Sequence, residues 1–216
     1  MDKFWLKSYP PSVQAQIDAR EFSSLKHMIE ASCERFADRK AFLLMEHALR
    51  YREIEARSAA FGAWLQQVAG LAKGERVAIM LPNVLQYPIA MFGALRAGMV
   101  VVNVNPLYTA DELAHQLADS GASTIVVLEN FAATVQQALP RTAVKHVIVT
   151  GVGDLLPFPK GAIVNFVLRY VQRKVPAWRI AGALRMRAVL RTGAALRLAP
   201  VQLDHDDLAY LQYTGG

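Results

Sequence analysis

GERVAIMLPNVLQYPIAMFGALRAGMVVVNVNPLYTADEL, residues 74–113, is the stretch on which the fold turns. Arg76 to Leu81 contains the unbroken apolar run VAIML, with no polar residue to mark a solvent face, as in a strand covered on both sides. Pro82 stands where a helix can begin, because a first turn does not need its missing N–H; the helix is expected to run to Arg96 and stop at Gly98. Met99 to Val104 is a second strand of the same kind, and Thr109-x-x-Glu112 is a capping box opening a helix that ends at Gly121.

The alternation continues in both directions. Ser123 to Leu128 is a third strand, a helix from about Asn130 to Leu139 is halted by Pro140, and Val144 to Thr150 is a fourth strand. Upstream, Ser23 or Ser24 caps an amphipathic helix reaching Phe36, and Ala41–Met45 with Leu49–Tyr51 forms a hairpin around Glu46-His47. A longer helix then places Ile54, Phe61, Leu65 and Val68 at helical spacing. Strand–helix alternation with short loops predicts an α/β fold, a doubly wound parallel sheet flanked by helices with right-handed crossovers. Four parts follow: helices and hairpin over 1–70, a βαβ sheet unit over 71–154, a basic helical segment over 155–203, and a strand entering a loop over 204–216.

The charge is unevenly placed. The chain of 216 residues has a net charge of +6, yet Leu155 to Leu203 contains nine basic residues and no acidic one, so the remainder is net acidic. Lys160 to Val175 reads as a basic amphipathic helix with Ile163, Val164, Val167, Leu168, Val171 and Val175 on one side and Asn165, Arg169, Gln172 and Arg173 on the other. Two readings follow. The apolar side packs on the sheet and the arginines are solvated, or the helix lies in a membrane interface with Lys160, Arg169, Arg173 and Lys174 at the surface. Few aromatics interleave with these charges, so no nucleic-acid partner is expected. The uncharged stretch Val77 to Leu95 is broken by Pro82, Asn83, Gln86 and Pro88 and reads as core, not as a membrane span. The N-terminus lacks the apolar run of a signal peptide.

Chemistry-bearing patterns are scarce. Cys33, the single cysteine, falls on the apolar stripe Leu25, Met28, Ile29, Cys33, Phe36 and reads as a buried thiol in a protein without disulfides. None of His27, His47, His115, His146 and His205 has a second ligand at metal spacing, so no metal site is expected. His205, within Asp204-His205-Asp206-Asp207, reads as part of an acidic turn, and His115 as a surface partner of Asp119. Gly151-Val-Gly153-Asp154 is a turn rather than a dinucleotide fingerprint, since Leu156 stands where the third glycine belongs. There is no nucleophile elbow, no complete Walker A and no paired general acid and base.

What remains is the end of the chain, LQYTGG. Leu208 to Tyr213 reads as an apolar strand that leaves an open edge, and Thr214-Gly215-Gly216 as the start of a loop whose backbone N–H groups can approach phosphate.

Several stretches together resemble one family. Residues 74–113 resemble the N-terminal region of adenylate-forming acyl-CoA ligases, and LRYREIEARSAAFGAWL, residues 49–65, resembles the hairpin and helix that precede it. DLAYLQYTGG, residues 207–216, resembles the strand entering their phosphate loop. NVNPLYT and the basic segment make the chain most similar to bacterial long-chain fatty acid–CoA ligases. The resemblance implies that 1–216 is an incomplete N-terminal portion of an AMP-binding domain, with Tyr213, Thr214, Gly215 and Gly216 beginning the ATP loop. It implies a two-step reaction using ATP, Mg2+ and coenzyme A: a fatty acid becomes an acyl-adenylate, then an acyl-CoA. No catalytic residue is assigned within the chain, which is expected to be inactive by itself. The alternatives are a ligase of the same superfamily for medium-chain or aryl acids, and a membrane-binding module without catalysis. The resemblance also implies a cytoplasmic protein, peripheral on the inner face of the membrane, and a homodimer.

Overall fold

Along the central strands, buried side chains point alternately to two helical layers. Val77, Ile79, Val101, Val126 and Ile148 face one helical layer, while Ala78, Met80, Val102, Ile125 and Val149 face the other. A strand buried on both faces needs no polar side chain, which is why these segments read as continuous apolar runs.

The computed structural model describes residues 3–18 and 20–214. A short hairpin, β1 (Lys40–Leu44) with β2 (His47–Arg50), is antiparallel, and its tight turn lies at Met45 and Glu46, both with positive φ, one residue earlier than the sequence suggests. The main sheet comprises β3 (Arg76–Met80), β4 (Val100–Asn103), β5 (Thr124–Leu128), β6 (His146–Thr150), the two-residue β7 (Leu184–Arg185) and β8 (Tyr210–Gln212). All pairs are parallel, in the order β7–β6–β5–β3–β4–β8. The expected α/β fold is present, with β8 on one edge and β7, which the sequence did not announce, on the other.

One layer holds α1 (Leu25–Arg35), α2 (Tyr51–Gln67), α3 (Gln86–Arg96) and α7 (Met186–Ala194); the opposite layer holds α4 (Ala110–Ser120) and α5 (Ala132–Ala138). Ser24 caps α1, its hydroxyl accepting from the His27 N–H at 3.1 Å, and Thr109 with Glu112 forms the expected capping box of α4. The α3 helix begins at Gln86 rather than near Pro82. A turn in which the Val84 N–H reaches the Pro82 carbonyl precedes it, and Pro88 is tolerated as its third residue because first-turn N–H groups lack partners anyway. Helix α7 lies so close to α2 that a Cβ on Gly193 would sit 1.9 Å from the Ala60 carbonyl oxygen. The buried Arg96 joins α1, α2 and α3, donating to Glu30 at 3.2 Å and to Glu55 and Ser58 at 2.8 Å. Cys33 is buried as expected, and burial outweighs the nearby Arg96 charge to raise its thiol pKa.

The basic helix departs from its sequence reading. It begins as α6 (Lys160–Phe166), widens into a π-type turn over Val167–Val171, and is broken by the left-handed Arg173 at φ 52°. No helix among the described residues is long and apolar enough to cross a membrane.

Candidate functional site

In a parallel sheet the carboxyl ends of the strands collect on one edge, where ligands of open α/β folds bind. The end of β8 reaches that edge because Tyr210, Leu211 and Gln212 pair in register with Val101, Val102 and Asn103 of β4. Tyr213 and the exposed Thr214 therefore leave the sheet at its carboxyl edge, as a phosphate-loop entry requires. Gly215 and Gly216, the other two residues expected there, lie outside the described residues.

Side chains reinforce this register. The Asn103 amide donates to Gln212 Oε1 at 3.0 Å and accepts from the Tyr87 hydroxyl at 2.8 Å, while the Asn103 carbonyl accepts from Gln116 Nε2 at 2.9 Å. The start of α3, the end of β4 and the end of β8 thus share one polar chain. Burial raises the Tyr87 phenol, partly opposed by Asn103, and raises Tyr210 as well, with the neighbouring Tyr87 adding to it. Tyr213 donates its hydroxyl to Asp119 of α4. Burial first, then the Asp119 hydrogen bond and charge, push its phenol up to about 12, so it remains a neutral donor. Asp119 is consequently occupied by Tyr213, and His115, its expected surface partner, makes no ion pair among the described residues. Together these groups fix where the strand ends; none is arranged as a nucleophile with a base.

The four basic candidates do not form one surface. Arg169 turns inward and pairs with Glu129, whose side chain is 4% exposed at the end of β5; Arg185 reaches the same carboxylate oxygen at 3.2 Å. Asn165, also assigned to the solvated side, accepts from the Gly153 N–H at 2.7 Å and donates to Asp154 at 2.9 Å. The reason is the carboxylate. Glu129 is buried at a strand end, and it is satisfied by Arg169 from the overlying helix and Arg185 from β7. Gly153 and Gly161 permit the contact, since a Cβ on either would lie 2.2 Å from the other's carbonyl oxygen. Lys160 pairs with Glu46 of the hairpin at 3.7 Å and donates to the Met45 carbonyl. Of the four, Arg173 and Lys174 stay exposed without an ion pair among the described residues.

Sequence reasoning overlooked Glu129, Tyr87, Asn103 and Gln212. Two left a trace: Glu129 is a carboxylate directly after the apolar end of β5, and Asn103 is the one polar residue of β4. No group of three or more His, Cys, Asp or Glu side chains suited to a metal occurs among the described residues. The 204–207 segment is a turn: the Asp204 N–H donates to Asp207, Asp207 pairs with Lys73 at 2.7 Å, and His205 meets the Phe22 carbonyl at 2.9 Å.

Comparison with known proteins is consistent with this arrangement. Residues 29–216 match the family model described as AMP-binding enzyme. Over 216 residues the chain is 51% identical to the long-chain-fatty-acid–CoA ligases of Escherichia coli O6:H1 and of Yersinia pestis, with 100% of this chain and 38% of each relative covered. The chain thus spans 38% of the length of these curated relatives. Among solved structures, the anthranilate CoA ligase AuaEII in complex with anthranoyl-AMP shares the fold, with a TM-score of 0.72 at 16% identity over 93% of this chain and 34% of that one.

Proposed function

Because the chain belongs to the AMP-binding enzyme family, we propose that it is part of a long-chain fatty acid–CoA ligase and supplies the strand that opens the ATP phosphate loop. One observation carries this reading: about half of the residues are identical, along the entire chain, to relatives bearing that name. In the reaction, a fatty carboxylate oxygen attacks the α-phosphorus of ATP and pyrophosphate leaves. The coenzyme A sulfur then attacks the acyl carbonyl, and AMP leaves with the bonding electron pair. The chain's contribution is positional. Asn103, Gln212 and Tyr87 hold β8 in register, Tyr213 anchors its end on Asp119, and Thr214 presents a hydroxyl and backbone N–H toward the polyphosphate. The described residues lack a carboxylate cluster suited to Mg2+, so no step is assigned to a metal held by them.

The coding sequence after Gly216 tests the phosphate-loop reading most directly. Thr-Thr-Gly followed by Lys-Gly is expected, and a stop or an unrelated sequence overturns it. The chain so extended should release pyrophosphate with palmitate faster than with octanoate or benzoate; a preference for either of the latter replaces the long-chain reading with the medium-chain or aryl alternative. The 216-residue chain by itself should form no acyl-adenylate, and fatty-acid-dependent pyrophosphate release by it contradicts that expectation. The same reading puts the protein on the cytoplasmic side, peripheral on the inner face of the membrane, supported by the basic segment 155–203 with its lack of acidic residues.

A further inference from the structure

The helix over 160–171 is amphipathic in a sense its charges do not suggest. Its polar Asn165 and Arg169 are turned onto Asp154 and Glu129, and Val164 packs on the core. The side left to solvent is apolar: Ile163 and Phe166 are each 57% exposed, Tyr170 62%, Val171 65%, and Phe158, just before the helix, 90%. Ile163, Phe166 and Tyr170 follow one another at helical spacing, and the Phe166 and Tyr170 rings lie 5.1 Å apart. Such a concentration of large apolar side chains on one exposed ridge marks an interaction surface.

We propose that this ridge is the surface by which the protein seats on an anionic bilayer, an inference that rests on the peripheral-membrane reading above. Phe158, Ile163, Phe166 and Val171 enter the boundary between headgroups and acyl chains, and Tyr170 keeps its hydroxyl at headgroup level. Arg173 and Lys174, immediately beyond the ridge and without an ion pair among the described residues, meet lipid phosphates. Lys160 is not part of this set, being held by Glu46. Charge selects the bilayer over a second copy of the chain. Arg173 and Lys174 flank the ridge without an ion pair among the described residues, so ridge-to-ridge docking sets these like charges against each other, whereas an anionic headgroup layer is complementary. The ridge is also preformed. Glu129 and Asp154 hold the helix from beneath, so its apolar side does not depend on lipid to become a helix face.

The test is co-sedimentation of the full chain with phosphatidylcholine vesicles and with phosphatidylcholine–phosphatidylglycerol vesicles. Binding to the anionic vesicles is expected, and Ile163→Ser with Phe166→Ser should weaken it by about tenfold or more. Arg173→Gln with Lys174→Gln should weaken it by about fivefold per charge removed. Circular dichroism checks folding, and Phe158→Ser, at a side chain almost wholly in solvent, keeps the apolar test valid if the double variant does not fold. Unchanged binding by the apolar variants overturns the ridge but leaves peripheral association standing. No binding by the native chain to either vesicle overturns both. Dissociation of a dimer by the apolar substitutions, with vesicle binding intact, assigns the ridge to a second copy instead.

Discussion

Residues 76–128 and residues 155–203 obey different rules of burial. In the first, apart from Arg76, Asn103 and Thr124 at strand ends, every strand position is taken by an apolar side chain, and the side chain's own hydrophobicity predicts where it goes. In the second, over the helix at 160–171, a buried carboxylate sets the orientation: Glu129, also met by Arg185 of β7, draws Arg169 toward the sheet and leaves Ile163, Phe166 and Tyr170 in solvent. Hydrophobicity governs a face only where no unpaired polar group lies beneath it, because leaving such a group unsatisfied costs as much as burying several methylenes gains.

The same residue type placed in both regions gives the widest test of that contrast. Ile125→Ala, in the fully buried β5, should lower the unfolding free energy in urea by about 3 kcal/mol. A loss below about 1 kcal/mol would show that the central sheet is not tightly packed. Glu129→Gln should cost about 1–2 kcal/mol, less than a fully buried pair, since Arg169 and Arg185 are 36% and 49% exposed and water screens them. If it proves neutral, charge is not what orients the basic helix. A pH series then probes the end of β8. The Tyr213 phenol is raised to about 12 in the fold from 10.0, so its contribution is complete below pH 10 and is lost as pH rises from there toward 12. Stability should fall less steeply over that window in Tyr213→Phe than in the native chain; equal slopes would remove Asp119 as the anchor. Smallest of all, Ile163→Ala should change stability by no more than about 0.5 kcal/mol, despite being the same substitution that heads this series.

What the sequence discloses follows from the range of the interactions involved. Ser24, Thr109 and Glu112 act within a turn of chain, so the starts of α1 and α4 are legible letter by letter. The start of α3 is less so, because Pro82 and Pro88 are both acceptable in a first turn and only the intervening Val84–Pro82 turn separates them. The role of Tyr213 and Thr214 as a strand exit is legible from LQYTGG, but its placement beside β4 is not. No local pattern tells Leu211 that Val102 is its neighbour. Glu129 and Arg169, 40 positions apart, each look like ordinary solvated charges until the fold joins them, so sequence alone turns the arginine of this helix outward.

The pairing of β8 with β4 has a consequence for assembly. Strands β3, β4, β5 and β6 each find a neighbour across a single helical crossover, whereas Asn103 and Gln212 meet across 109 positions of chain, after the intervening segment has built β7 at the opposite edge and laid α7 along α2. Closing so long a loop before any contact rewards it is entropically unfavourable, so β8 should zip on last. Amide protection at Leu211 is therefore expected to lag behind that at Val126 during refolding, and the molecule completes its central sheet before its last strand joins the edge.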